Sequence, residues 1–220
     1  MITPSKNILD LFRHTYGAMS VVEGIALYNI TLQAPEGDWY ELGSHRGKSS
    51  VMITSAAKSN SCLNFLEPDM VDKAVEGAVG ANIILSLQKG ILNTTFNLIP
   101  DYSTNVLSKI NKDISLLFVD SGNHGEEIVQ SEKPLYENKM VKGGIIIFHD
   151  YGEKSQFTAV AKCYNELLAS GNYERIEINW QEIFDYVAEH NLEEGNNSWH
   201  IYENLPHPPN FVGALKRKTV

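Results

Sequence analysis

Residues 39–50 read WYELGSHRGKSS, a short apolar run that stops at Glu41, passes through two glycines and then opens into a helix-forming segment. The order predicts a strand over 38–42, a tight turn through Gly43 and Gly47, and a helix over 48–58. Glycine admits the positive φ that such a turn demands and lets backbone approach a ligand closely. The N–H groups at the start of the helix have no partner within it, so they can receive a carboxylate or a phosphate. A strand, a glycine turn and a helix in that order open a nucleotide-type pocket at the carboxyl edge of a parallel sheet.

Working outward, SCLNFLE (61–67) reads as a second strand, with helical pattern from about residue 69, and TTFNLI (94–99) as a third, ending before Pro100 and Asp101. ISLLFVD (114–120) and GGIIIFHD (143–150) read as the fourth and fifth. LLFV and IIIF are continuous rather than alternating apolar runs, which marks strands buried on both faces. The expected fold is therefore α/β, a Rossmann-like doubly wound sheet with helices on both faces. After a helix over 157–169, YERIEIN (173–179) and NFVGALKRK (210–218) read as two closing strands, the last antiparallel, for seven in all. Segment 180–208 is then an insertion, holding Trp180, Tyr186, Trp199 and His200; its aromatics are read first as packing and second as a lid on an acceptor. Before the sheet, 7–14 and 20–33 carry apolar residues at helical spacing, with Ser20 as cap and Glu23 three residues on. The expected organisation is one domain over 1–220, with amino-terminal helices in 1–36 that could close over the site or meet a second copy, and a core in 38–170.

A net charge of −9 argues against a surface that tracks phosphates, since nucleic-acid binding relies on clustered Lys and Arg. Two cysteines, Cys62 and Cys163, are too few and too far apart for a disulfide framework and are expected to be buried thiols. No apolar run nears the roughly 20 residues of a spanning helix, and the first residues have no basic-then-apolar leader pattern. A cytoplasmic protein with no membrane or nucleic-acid partner is expected.

Ligands in such a sheet bind beyond the carboxyl ends of the strands. Glu41, Glu67, Asp101, Asp120 and Asp150 all stand there. Glu67 can accept both hydroxyls of a ribose, which predicts an adenosyl ligand. The turn is not GxGxxG, because Ser44 and His45 follow Gly43, and this weakens a dinucleotide reading. GSHRGKS (43–49) also approximates a P-loop, with LLFVD as an acid-ended strand; but three residues rather than four separate Gly43 from GK, which moves the N–H groups out of register.

ELGSHRGKSS, ISLLFVDSGNHGEE and the helix leading to MVKGGIIIFHDYG together resemble the class I S-adenosylmethionine-dependent methyltransferases, and within them a small O-methyltransferase-like family (methyltransferase domain 24 type). The resemblance covers about residues 38–170. It implies that Glu41, Gly43, Ser44, Gly47 and Ser49 surround the methionine part of S-adenosylmethionine, that Glu67 holds the ribose, that Asp101 sits near the adenine, and that Asp120 faces the methyl group. Ser121 stands between Asp120 and Gly122, so either the turn is one residue longer than the motif or Ser121 takes the acid's place.

The resemblance further implies a divalent metal between Asp120 and Asp150, with Mg or Mn as candidates. His149 stands where many relatives carry another acid, and an imidazole favours manganese, iron or zinc. Successive strand residues face opposite ways, so His149 and Asp150 share a site only if the strand has already turned. Without metal, His149 or His124 is a candidate general base beside Asp120. A helix cap for His124 and a carbonyl bond for His149 are the structural alternatives. The expected function is O-methylation of a small-molecule hydroxyl, on a sugar or secondary metabolite. A non-catalytic adenosyl-binding protein, a P-loop-like phosphotransferase and a metal-dependent hydroxylase are the alternatives.

Overall fold

The strand expected in the opening stretch is β1 (Asp38–Leu42). The sheet grows on both sides of it in a computed structural model that describes residues 1–87, 94–110, 113–121, 125–151, 157–192 and 212–219. β2 (Cys62–Leu66), β3 (Thr95–Ile99), β4 (Ile114–Val119), β5 (Met140–His149), β6 (Tyr173–Arg175) and β7 (Val212–Arg217) complete it in the order β3-β2-β1-β4-β5-β7-β6. Pairing is parallel from β3 to β5, and β7 runs antiparallel to both β5 and β6. The strand order reverses between β1 and β4, which makes their carboxyl ends the switch point where such sheets open a crevice.

Helices α1 (Lys6–His14), α2 (Val21–Thr31), α3 (Lys48–Ser55), α4 (Lys73–Leu87), α5 (Ser103–Lys109), α6 (Glu126–Tyr136), α7 (Thr158–Ala169) and α8 (Trp180–Glu189) divide between the faces. One apolar cluster joins Trp39, Leu63, Phe65, Leu116, Phe118, Ile145 and Ile147 to residues of α1 to α4 and α8. The other joins Tyr40, Leu42, Leu66, Leu117, Val119, Ile146 and Phe148 to α5, α6 and α7. Adjacent residues of β4 and β5 thus enter different cores, which is why these strands read as unbroken apolar runs. Ser20 caps α2 as expected: Glu23 N donates to its side chain at 3.2 Å and Ser20 N donates to Glu23 Oε2 at 2.7 Å.

Three boundaries differ from expectation by three residues or more. α3 ends at Ser55, three residues early. β5 begins at Met140, because Ile114 pairs with Met140 before the register shifts around Gly143 and Gly144. β6 stops at Arg175; beyond it Ile176 and Ile178 pack against the core and Asn179 Oδ1 accepts from Glu182 N at the start of α8, so alternation over 173–179 was only half strand. Cys163 is buried, whereas Cys62 is half-buried, and neither is in a disulfide.

Candidate functional site

On the face covered by α1 to α4, the apolar row of each central strand ends in a polar residue. Trp39 is followed two residues on by Glu41, Leu63 and Phe65 by Glu67, Leu116 and Phe118 by Asp120, and Ile145 and Ile147 by His149. A period of two keeps each polar residue on its strand's row, so four of them line one edge of the sheet.

The turn after β1 lies between the ends of three strands. Gly43 N and Ser44 N donate to Leu66 O at 2.9 and 3.1 Å, and Asp120 N donates to Leu42 O at 2.9 Å. Gly43 has φ +87°, and a Cβ there would lie 2.1 Å from Asp120 O. Gly47, with φ +85°, is the N-cap of α3. Glu41 is buried and turned onto that helix, where one oxygen accepts from Ser49 Oγ and the other from Ser50 Oγ at 2.6 Å. Burial pushes its carboxyl up to about 7 against the opposing pull of the Ser49 and Ser50 hydroxyls. Ser44 is buried alongside.

Glu67, in extended backbone beyond β2, folds its side chain onto the same turn. Oε2 accepts from His45 N at 2.7 Å and Oε1 from Asp69 N at 3.1 Å. A carboxylate oxygen has two lone-pair sites, so one on each oxygen remains for a diol. Asp101 stands apart, beyond β3. It accepts from Asn105 Nδ2 and Tyr102 N at 2.8 Å each, and these bonds, with Lys109 nearby, lower its pKa.

Asp120, His149 and Asp150 come together. His149 Nδ1 lies 3.1 Å from Asp120 Oδ1 and 3.5 Å from Asp150 Oδ2. His149, the last residue of β5, and Asp150 can share this site because the chain turns between them: Asp150 has φ +57°, in the left-handed region. One ligand atom from each of the three residues lies within 4.8 Å of the others, an arrangement that could hold a metal ion. Burial alone lowers the His149 pKa, but Asp120, Glu23 and Asp150 outweigh it and hold the imidazole well above its ordinary value.

Ser121 is buried and donates to Glu132 Oε1 at 2.5 Å, which also accepts from Ser103 Oγ, whereas Asp120 is the acid at the imidazole. Two residues of the site escaped the sequence reading. Glu23 was seen only as a capping residue, yet its Oε1 lies 3.5 Å from His149 Nε2. Lys48 is buried with its Nζ 3.4 Å from Gly17 O and 5.0 Å from the Phe12 ring centroid, tying α3 to the amino-terminal helices. No spacing rule links residue 23 to residue 149; only the folded docking of α2 does. Gly122, His124, Trp199 and His200 lie outside the described residues.

Among solved structures, the chain is similar to the O-methyltransferase TomG of tomaymycin synthesis from Streptomyces achromogenes in complex with S-adenosylmethionine, at 12% identity and TM-score 0.59, covering 81% of this chain and 85% of that one. It is similar to an O-methyltransferase from Bacillus cereus in complex with S-adenosylhomocysteine, at 10% identity and TM-score 0.59, covering 99% and 94%. It is also similar to an rRNA methylase from Streptococcus thermophilus, at 13% identity and TM-score 0.52, covering 89% and 93%. At these identities the likeness concerns the fold. A search of curated proteins finds no match. A methyltransferase-domain family model matches residues 40–151, more than half of the chain, from within β1 to the turn after β5. With that match over this sheet order and strand-end site, the chain belongs to the class I methyltransferase-domain family.

Proposed function

We propose that the protein transfers the methyl group of S-adenosylmethionine to a hydroxyl oxygen of a small molecule such as a sugar or secondary metabolite. The observation that carries this reading is the row of strand ends Glu41, Glu67, Asp120 and His149 around the Gly43 turn at the switch point of the sheet. Glu67, fixed by two backbone N–H groups, offers its remaining lone pairs to the ribose diol. Gly43, Ser44 and Gly47 let the turn approach the methionine part, while Glu41 acts through Ser49 and Ser50 by pinning the start of α3. Asp101 takes the adenine side, beyond β3.

S-adenosylmethionine, when bound, supplies an electrophilic methyl on a sulfonium sulfur. Asp120, whose side chain is 23% exposed against 6% for His149, is the cluster member best placed to reach an acceptor. It would accept the hydroxyl hydrogen bond, hold the oxygen in line with the methyl, and take the proton as the carbon–oxygen bond forms and the carbon–sulfur bond breaks. Such positioning supplies much of the rate in a group transfer. The three carboxylates around His149 favour its charged form, and its Nδ1 faces Asp120 and Asp150, where a cation would bind in place of a proton.

Two carboxylates and an imidazole fit a divalent ion, with the nitrogen donor favouring manganese over magnesium. When bound at Asp120, His149 and Asp150, such an ion would polarise the acceptor oxygen as a Lewis acid. The acidic net charge supports a small acceptor over RNA. Titration calorimetry tests the reading: saturable heat is expected with S-adenosylmethionine and S-adenosylhomocysteine, and none with ATP and magnesium. Glu67→Ala should weaken the first by about 100-fold, the scale of losing charged hydrogen bonds. Heat with ATP alone would overturn it.

A further inference from the structure

The amino-terminal helix α2 lies outside the residues that the family model matches, yet it sends a carboxylate to the centre of the site. Glu23 is 3% exposed and divides its two oxygens between two tasks. Oε2 accepts from Ser20 N at 2.7 Å and closes the helix cap, while Oε1 faces His149 Nε2 at 3.5 Å. Across the ring, Nδ1 faces Asp120 and Asp150. A neutral imidazole has one N–H and one lone pair, and the bond made by one nitrogen decides which the other presents. We propose that Glu23 is a positioning residue: it accepts the Nε2–H of His149, and thereby presents Nδ1 as the nitrogen that binds a divalent ion with Asp120 and Asp150. The ion itself rests on the proposed function above; the Nε2–H bond does not.

The cap explains why this carboxylate is well aimed. An exposed glutamate would spread over many rotamers, but Glu23 is held at both ends, by Ser20 N and by its own N–H on Ser20 Oγ. α2 in turn packs on α3, α8 and β7, with Gly24 against the Phe12 ring. The helix pair ahead of the sheet is therefore part of the site: it supplies the outer partner of its imidazole. Carboxylates bonded to the distal nitrogen of a metal-bound histidine commonly set metal affinity by 10 to 100-fold.

The test uses the full chain and three variants, Glu23→Gln, Glu23→Ala and Ser20→Ala. Manganese affinity is read by calorimetry, and the His149 ring nitrogens by long-range proton–nitrogen NMR in metal-free and magnesium-loaded protein. Glu23→Gln has one oxygen where two are needed, so it cannot serve both Ser20 N and His149. Expected are a 10 to 100-fold loss of manganese affinity in both Glu23 variants and a changed Nε2–H signal. Ser20→Ala, which removes a cap contact and leaves the Glu23 carboxylate, should melt earlier with wild-type manganese affinity and His149 shifts. Wild-type shifts in Glu23→Gln would overturn the proposal and leave Glu23 a cap alone. Equal loss of manganese affinity in Ser20→Ala would also overturn it, by making helix stability the cause. If the wild-type chain takes up no manganese, the metal reading fails by itself. The NMR arm then decides Glu23: a carboxylate-bonded Nε2–H, lost in Glu23→Gln, supports its part, and its absence in the wild type overturns it.

Discussion

Glu41 occupies a place where charge is costly and proton binding is not. Its carboxyl is raised from 4.5 to about 7 by burial, with the hydroxyls of Ser49 and Ser50 pulling the other way. The folded chain binds this proton more tightly than the unfolded chain, so the contribution is present in full below about pH 4.5 and is lost as pH rises through 7. By linkage the loss is about 3 kcal/mol. Urea unfolding of the wild type at pH 5 and pH 8 should show this fall, and Glu41→Gln, which does not ionise, should lack it. A parallel pH dependence in both proteins would mean that other groups cause it. Gly43 gives a second prediction at this scale. Left-handed backbone costs a residue with a Cβ about 1–2 kcal/mol, and at Gly43 that atom would also strike Asp120 O. Gly43→Ala should therefore lower stability by more than about 2 kcal/mol and be far worse than Gly47→Ala, where the nearest atom is at 3.3 Å. Glu41, Glu67, Asp120 and Asp150 were legible as strand-end acids because the sequence places the first three directly after apolar runs and Asp150 one residue beyond one. The partners they chose were not legible. Glu67 could equally have reached into solvent, and Glu23 lies 126 positions from the histidine that it meets, with helix, strand and turn between them.

Among the elements, β4 and the second half of β5 were the easiest to read, since burial on both faces leaves no polar alternation to confuse with a helix. The closing segments were harder. Over 173–179 a short edge strand runs into the cap of α8, and an alternating pattern suits both until Asn179 bonds Glu182 N. α8 itself matters to the site through its neighbour. Its Ile183 is 3% exposed and belongs to the same core as Ile25, Leu27 and Ile30 of α2. Ile183→Ala should cost about 2–5 kcal/mol, the range for deleting a buried aliphatic side chain, as read by urea unfolding. It should also speed amide exchange in α2, because that helix would lose part of the surface it packs on. Protection of α2 left unchanged would mean that the two helices open independently.

At the scale of the molecule, net charge bears on the acceptor, which the fold does not distinguish. Proteins of this fold include O-methyltransferases, one of them of tomaymycin synthesis, and an rRNA methylase, so the sheet and the strand-end site alone are compatible with a small acceptor or with RNA. The electrostatics are less neutral on the point. A chain of net charge −9 repels a polyanion at long range, and affinity for RNA has to be gained through phosphate contacts that release counterions. A protein with 6–10 such contacts loses about 10³ to 10⁵ in affinity between 50 and 200 mM salt. For a small hydroxylated acceptor the reacting group is neutral and most of the contact lies within the crevice, so kcat/KM should change by less than about twofold over that range. Measured methyl transfer to a small acceptor should likewise be indifferent to added ribosomal RNA. A steep salt dependence, or inhibition by RNA at micromolar concentration, would show a basic track that the overall charge conceals and would move the acceptor from a metabolite to a nucleic acid.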